Sequence, residues 1–245
     1  MRRHPIHLIA AAAIIGLSAQ TVPAQDFSMP VIQVAPNFAM SNLNRELLDR
    51  RNAEGAQGNV LSSDGQALPG LDKSVLKFTA NSGRRTDNFN SFVERIRETD
   101  PAGAARLQTL FATSDVMGMI AGAMASMGLD ANNVADAYTV WWISAYQASQ
   151  GSGDTPSRTR YQAVRRQAEN ALLSSRSLTS ASEAEKQQFA EAYLIQAALI
   201  DSAVQEMQAN PQHLDSLKAA VAQGAMKSGL DLERMILTDN GFRAR

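Results

Sequence analysis

EKQQFAEAYLIQAALIDSAVQEM, residues 185–207, decides how this chain folds. Phe189, Tyr193, Ala197, Ile200, Val204 and Met207 recur at spacings of four and three, which holds them on one stripe of an α-helix for about five turns. Ser182 and Glu185 have the spacing of a capping box, so the helix is predicted to begin there and to reach Ala209. A stripe this long requires a partner. The last helical segment, opened by Asn210-Pro211 and closed by Gly229, offers Leu214, Leu217, Val221 and Ala225, and the short turn between the two predicts an antiparallel helical hairpin.

Working back from this hairpin, the punctuation repeats. Phe89, Phe92, Val93 and Ile96 share a face of a helix predicted from Asp87 to Glu98. Asp100-Pro101 supplies an N-cap and a first-turn proline for the next, which ends near Phe111. A further helix begins at Ser114 or Asp115 and stops at Gly128, another runs from about Asp130–Asn133 to Gly151, and Thr155-Pro156 opens one that reaches Ser174. The expectation over 73–245 is therefore an all-α, bundle-like domain of about seven helices. Strand signal is confined to SVLKFT at 74–79 and RMILT at 234–238, which together predict a small two-stranded β clasp joining the ends of the domain.

Ahead of the domain, Arg2, Arg3 and His4 precede an apolar run from Leu8 to Leu17 and small or modest residues at Val22-Pro23-Ala24. That order is the pattern of a secretory signal peptide over 1–24, cleaved near Ala24, and predicts export to the periplasm or beyond. The apolar run is about half of the roughly 20 residues a spanning helix needs, so no permanent membrane anchor is expected. Residues 25–72, with prolines at 30, 36 and 69 and glycines at 55, 58, 65 and 70, predict an extended arm and flexible linker around one short helix at 42–51. The chain has no cysteine, which excludes disulfides and thiolate metal sites. Its 23 basic and 24 acidic side chains leave a net charge of −1, which argues against a polyanion binder and against nucleic acid as a partner.

Among the candidate functional residues, the aromatic ones in NVADAYTVWWISAYQ (133–147) stand out in a chain with two tryptophans and four tyrosines. Tyr138, Trp142 and Tyr146 are four apart and make a ladder that either builds a helical core or lines a ligand groove; buried area favours the core. Asp136, in the first turns of the same helix, reads as a capping carboxylate. VMGMIAGAMASMG (116–128) places Met117, Met124 and Met127 among small residues. Tight packing is the favoured reading there, and a thioether site for Cu(I) the alternative. Arg158 and Arg165 share a helix face and form the best candidate anion site, although Glu169, four residues after Arg165, is placed to pair with it. Enzyme signatures are sparse. His213 is the only histidine beyond the leader, Ser74 and Lys77 match an S-x-x-K spacing without its companion motifs, and Glu183, Glu185 and Glu191 read as solvated charges of the long helix. No catalytic residue and no cofactor is implied.

GLDANNVADAYTVWWISAYQA (128–148), EKQQFAEAYLIQAALI (185–200) and GLDLERMILTDNGF (229–242) resemble blocks of a family of exported bacterial proteins described only as a domain of unknown function, over about 75–245. The resemblance implies a bacterial envelope protein and brings no functional residues with it. Together these readings point to an exported, non-catalytic binding or interaction module whose partner is an envelope protein or a small ligand. The alternative is a helical pocket protein that takes a small apolar or aromatic ligand on Tyr138, Trp142 and Tyr146. A Met-based Cu(I) binder or an enzyme is the lesser alternative.

Overall fold

The computed structural model of the chain describes residues 72–174, 176–207 and 211–245, with the backbone alone at 176, 177, 211 and 212. The expected signal peptide (1–24) and the expected arm with its short helix (25–72, save Asp72) lie outside the described residues. Within them, helices begin where the sequence supplies a short side-chain oxygen for the unpaired N–H groups of the first turn. Asn81 accepts from the Arg84 N–H and opens α1 (Ser82–Arg97), ahead of the expected start at Asp87. Asp100 and Pro101 open α2 (Pro101–Thr113), and Asp115 opens α3 (Val116–Ser126). Asn133 opens α4 (Val134–Ser149). Ser157, rather than Thr155, caps α5 (Arg158–Leu173). After a one-turn α6 (Arg176–Thr179), the Ser182 N–H donates to the Glu185 carboxylate at 2.8 Å and the Glu185 N–H returns a bond to the Ser182 hydroxyl. This reciprocal box starts α7 (Glu183–Met207), and α8 (Pro211–Lys227) completes an all-α architecture apart from one small sheet.

The principal partner of α7 is α4, not α8. Every residue of α4 from Val134 to Tyr146 is buried, and α7 is buried on more than its stripe, with Leu194, Ile195, Ala198 and Leu199 enclosed as well. Two helices that are apolar nearly all round belong in the middle, and the others cover them. α5 and α8 both pack on α4, whereas α1, paired with α2, lies on α7. The predicted hairpin of α7 and α8 does exist as a contact, but α8 leans more heavily on α4.

The small sheet departs from the expected clasp. Strand β1 (Met235–Thr238) forms as read, yet its partner is β2 (Gly241–Ala244), in an antiparallel hairpin that aligns Leu237 with Phe242. Residues 74–79 make no such strand: the Asp72 side chain accepts from the Ser74 N–H and turns Lys73–Leu76 into a 3-10 helix. Only Lys77 and Phe78 pair, with Asn133 and Asn132 at the entrance to α4. Local turn chemistry wins here over a long-range pairing, because Gly241 takes φ 97° and closes a tight turn at once.

The hairpin is fastened to α5 by one side chain. The Gln167 amide donates to the Phe242 carbonyl and accepts from the Phe242 N–H, both at 2.8 Å, as a neighbouring strand would. A Cβ on Gly241 would stand 2.4 Å from the Gln167 Oε1, so the glycine serves this approach as well as the turn. Gln167→Leu is expected to destabilise the protein by roughly 2–4 kcal/mol, because it strands two buried backbone groups at once. Urea denaturation measures it, and an unchanged midpoint would mean that the amide pair contributes nothing net.

Candidate functional site

Gly151, at φ 68°, ends α4 and releases a loop that runs over the end of the helix to Ser157. The Gln147 side chain pins the loop to α4 by donating to the Asp154 carbonyl at 2.9 Å, and within the loop the Ser152 hydroxyl donates to the Asp154 carboxylate at 3.0 Å. Across from it, Arg160 at the start of α5 reaches the hairpin turn and pairs with Asp239 at 2.9 Å. Between loop, α5 and hairpin lies a cleft of about 520 Å³, lined by Tyr146, Gln150, Thr155, Ser157, Arg160 and Leu237 among others. Small-molecule sites commonly occupy about 300–1,000 Å³.

Next to the cleft is a second, smaller cavity of about 30 Å³, the inner one. Gln147, Ser152, Asp154, Thr155 and Pro156 line both spaces, so the two lie side by side. The inner walls bring Ser144 of α4, Tyr161 of α5 and Asp201 of α7 to one point. The Ser144 side chain is hydrogen-bonded to the Asp201 carboxyl, yet burial prevails and pushes that carboxyl up to about 7. Tyr161 is 3% exposed, and burial, with the nearby Asp201 charge, holds its phenol well above the ordinary range.

This carboxyl has a consequence for stability. A group whose folded pKa lies above its unfolded value of 3.8 binds its proton more tightly in the folded state. The stability it contributes is therefore complete below the unfolded value and is lost as pH rises through the folded one. Asp136, raised by burial to about 6, acts in the same direction. Between about pH 5 and about pH 8, stability is expected to fall by on the order of 2 kcal/mol through Asp201. Asp201→Asn should flatten the profile, as read from thermal melts at each pH.

The residues singled out in the sequence are scattered relative to this cleft. Tyr138 and Trp142 stand in the core, 2% and 0% exposed. Tyr138 meets Tyr193 edge-on, and Trp142 stacks on Phe242 with ring centroids 4.6 Å apart. Tyr146 alone of the three reaches the cleft wall. Arg165 lies 2.6 Å from Asp136 and 3.3 Å from Glu169, an ion pair with each. The Asp136 contact is close without the directionality of a hydrogen bond. Arg158 is exposed and carries its guanidinium over Gly128, away from that pair. Asp136 accepts from the Asp130 N–H at 2.8 Å rather than capping its own helix, a task Asn133 performs.

Met124 is fully enclosed, Met127 is half-buried, and Met117 borders a separate groove of about 350 Å³ beside Gly118, Ala121 and Ala125. Glu183 and Glu185 sit at the α7 N-terminus, where the Ser182 backbone N–H and hydroxyl hold the Glu185 carboxyl below its usual range. Glu191 is not solvated as expected. It is 1% exposed, and Arg85, Asn88 and Gln187 all bond to it, because α1 lies across that face of α7. Ser74 and Lys77 belong to the turn and bridge already described, and His213 is exposed on α8. Asp201 went unremarked in the sequence, although a signal was there: it is the only charged residue between Glu191 and Glu206.

A model described as a family of unknown function (DUF6683) matches residues 72–245. No curated protein and no solved structure matches the chain. No helix among the described residues is long and apolar enough to cross a membrane.

Proposed function

We propose, for a chain that belongs to the DUF6683 family, that it is an exported bacterial envelope protein and a non-catalytic module binding a small polar ligand in the cleft over Asp201. The observation that carries this reading is the cleft itself, of ligand size, walled by polar groups and sharing part of its wall with a small cavity that holds the half-buried Asp201 carboxyl. Its polar lining turns the reading away from an apolar or aromatic ligand, since Tyr138 and Trp142 spend their faces on Tyr193 and Phe242. Export rests on the basic start at Arg2 and Arg3 and the apolar run from Leu8 to Leu17.

Native mass spectrometry of the protein exported from a bacterial host tests both parts. Cleavage near Ala24 and a retained small mass in the wild type, lost in Gln150→Trp at the cleft rim, are expected. A full-length leader would refute export. A bare wild-type chain, together with no melting shift across a panel of small polar metabolites, would refute the binding role.

A further inference from the structure

Asp201 is a half-buried carboxyl in an otherwise largely buried stretch of α7. It interrupts a helix whose neighbours Ile200, Ser202, Ala203 and Val204 are buried, and it faces Ser144 on the other central helix. The fully buried carboxyls of Asp136 and Glu191 in this molecule are each paired with a guanidinium. The inner cavity offers Asp201 no such partner: its described lining has the carboxyls of Asp154 and Asp201, the hydroxyls of Ser144, Ser152, Thr155 and Tyr161, the amides of Gln147 and Gln205, and no basic side chain. What it does offer is a small space beside that carboxyl, with a wall shared with the cleft.

Resting on the reading of the cleft as the binding surface, we propose that the ligand bears a primary amine whose ammonium group enters the inner cavity and pairs with Asp201. An ammonium head is compact and carries three donors, which suits a carboxylate and two hydroxyl oxygens within one small space. The rest of the ligand would pass between Gln147, Thr155 and Pro156 into the outer cleft, where Tyr146 and Leu237 supply apolar contact and Gln150 and Ser157 polar contact. The small inner space favours a primary ammonium over a quaternary one. A half-buried pocket carboxyl with no basic side chain in its described lining is thereby given a cation: the ligand completes the pair, which makes the amine the feature the site selects.

Isothermal titration calorimetry of the mature protein with putrescine as probe, at about pH 8, is the test. The expected result is saturable binding that weakens at least about thirtyfold in Asp201→Asn, in line with the loss of one partner of a buried charge pair. Tetramethylammonium should not compete, and Ser144→Ala should weaken putrescine several-fold while leaving the helical circular dichroism unchanged. Thermal melts of Asp201→Asn establish that it is folded. Binding unaffected by Asp201→Asn, competition by tetramethylammonium, or no putrescine binding at all would each overturn the amine assignment. If another polar compound were still retained in the cleft and displaced by Gln150→Trp, the binding role would stand and only its ligand class would fall.

Discussion

Trp142→Ala is expected to destabilise the protein by about 3–5 kcal/mol, the cost of deleting a large aromatic from a close-packed centre. Trp142 is fully buried on α4, stacked on Phe242 of β2 and tilted against Tyr138 at 5.8 Å. Its removal empties the joint between the central helix and the C-terminal hairpin. Phe242 and Tyr146, whose rings meet edge-on at 5.1 Å, lose the surface they share. Trp142→Phe should cost distinctly less, since a ring remains to stack on Phe242. Urea denaturation of the three proteins checks the order. A mild loss in Trp142→Ala would mean that the residue lines open space and would return the aromatic ladder to the ligand readings.

Arg165→Ala should cost a similar amount, about 3–5 kcal/mol, for an electrostatic reason. Arg165 stands between Asp136, 0% exposed, and Glu169, itself buried and held on its other side by Lys73. Without the guanidinium, Asp136 keeps the Asp130 N–H but loses its only ion-pair partner among the described residues. Its proton then becomes harder to remove, so the loss of stability should be smaller at about pH 5 than at about pH 8. Asp136→Asn combined with Arg165→Met should recover much of the loss, because the pair is then replaced by neutral groups. Equal destabilisation by the single and double variants would show that packing of the arginine stem, not charge, is what matters.

These two residues also mark how far the sequence could be read. Trp142 was legible as core because helical periodicity places it among Tyr138, Val134 and Ala145 on a face too wide and too apolar to be exposed. For Arg165, the i to i+4 spacing to Glu169 was legible, and that pair forms. Its stronger partner, Asp136, lies on another helix, and no spacing within one segment could reveal it. Asp201 and Glu191 repeat the lesson: one faces a cavity made by Ser144 and Tyr161, the other a cluster made by α1.

By itself the sequence determined the helices, their caps at Asn133, Asp100 and Asp115, the box at Ser182 and Glu185, and the strand at 235–238. All of these depend on residues within about one turn of each other, where side-chain reach and backbone geometry leave few choices. Tertiary structure alone decided that α7 packs chiefly on α4, that β1 turns back on β2 instead of reaching residues 74–79, and that side chains from three helices meet in the lining of one cavity. Each of those outcomes is a competition among surfaces distant in the chain, settled by the total apolar area that can be enclosed at once, and that sum exists only when the whole fold is assembled.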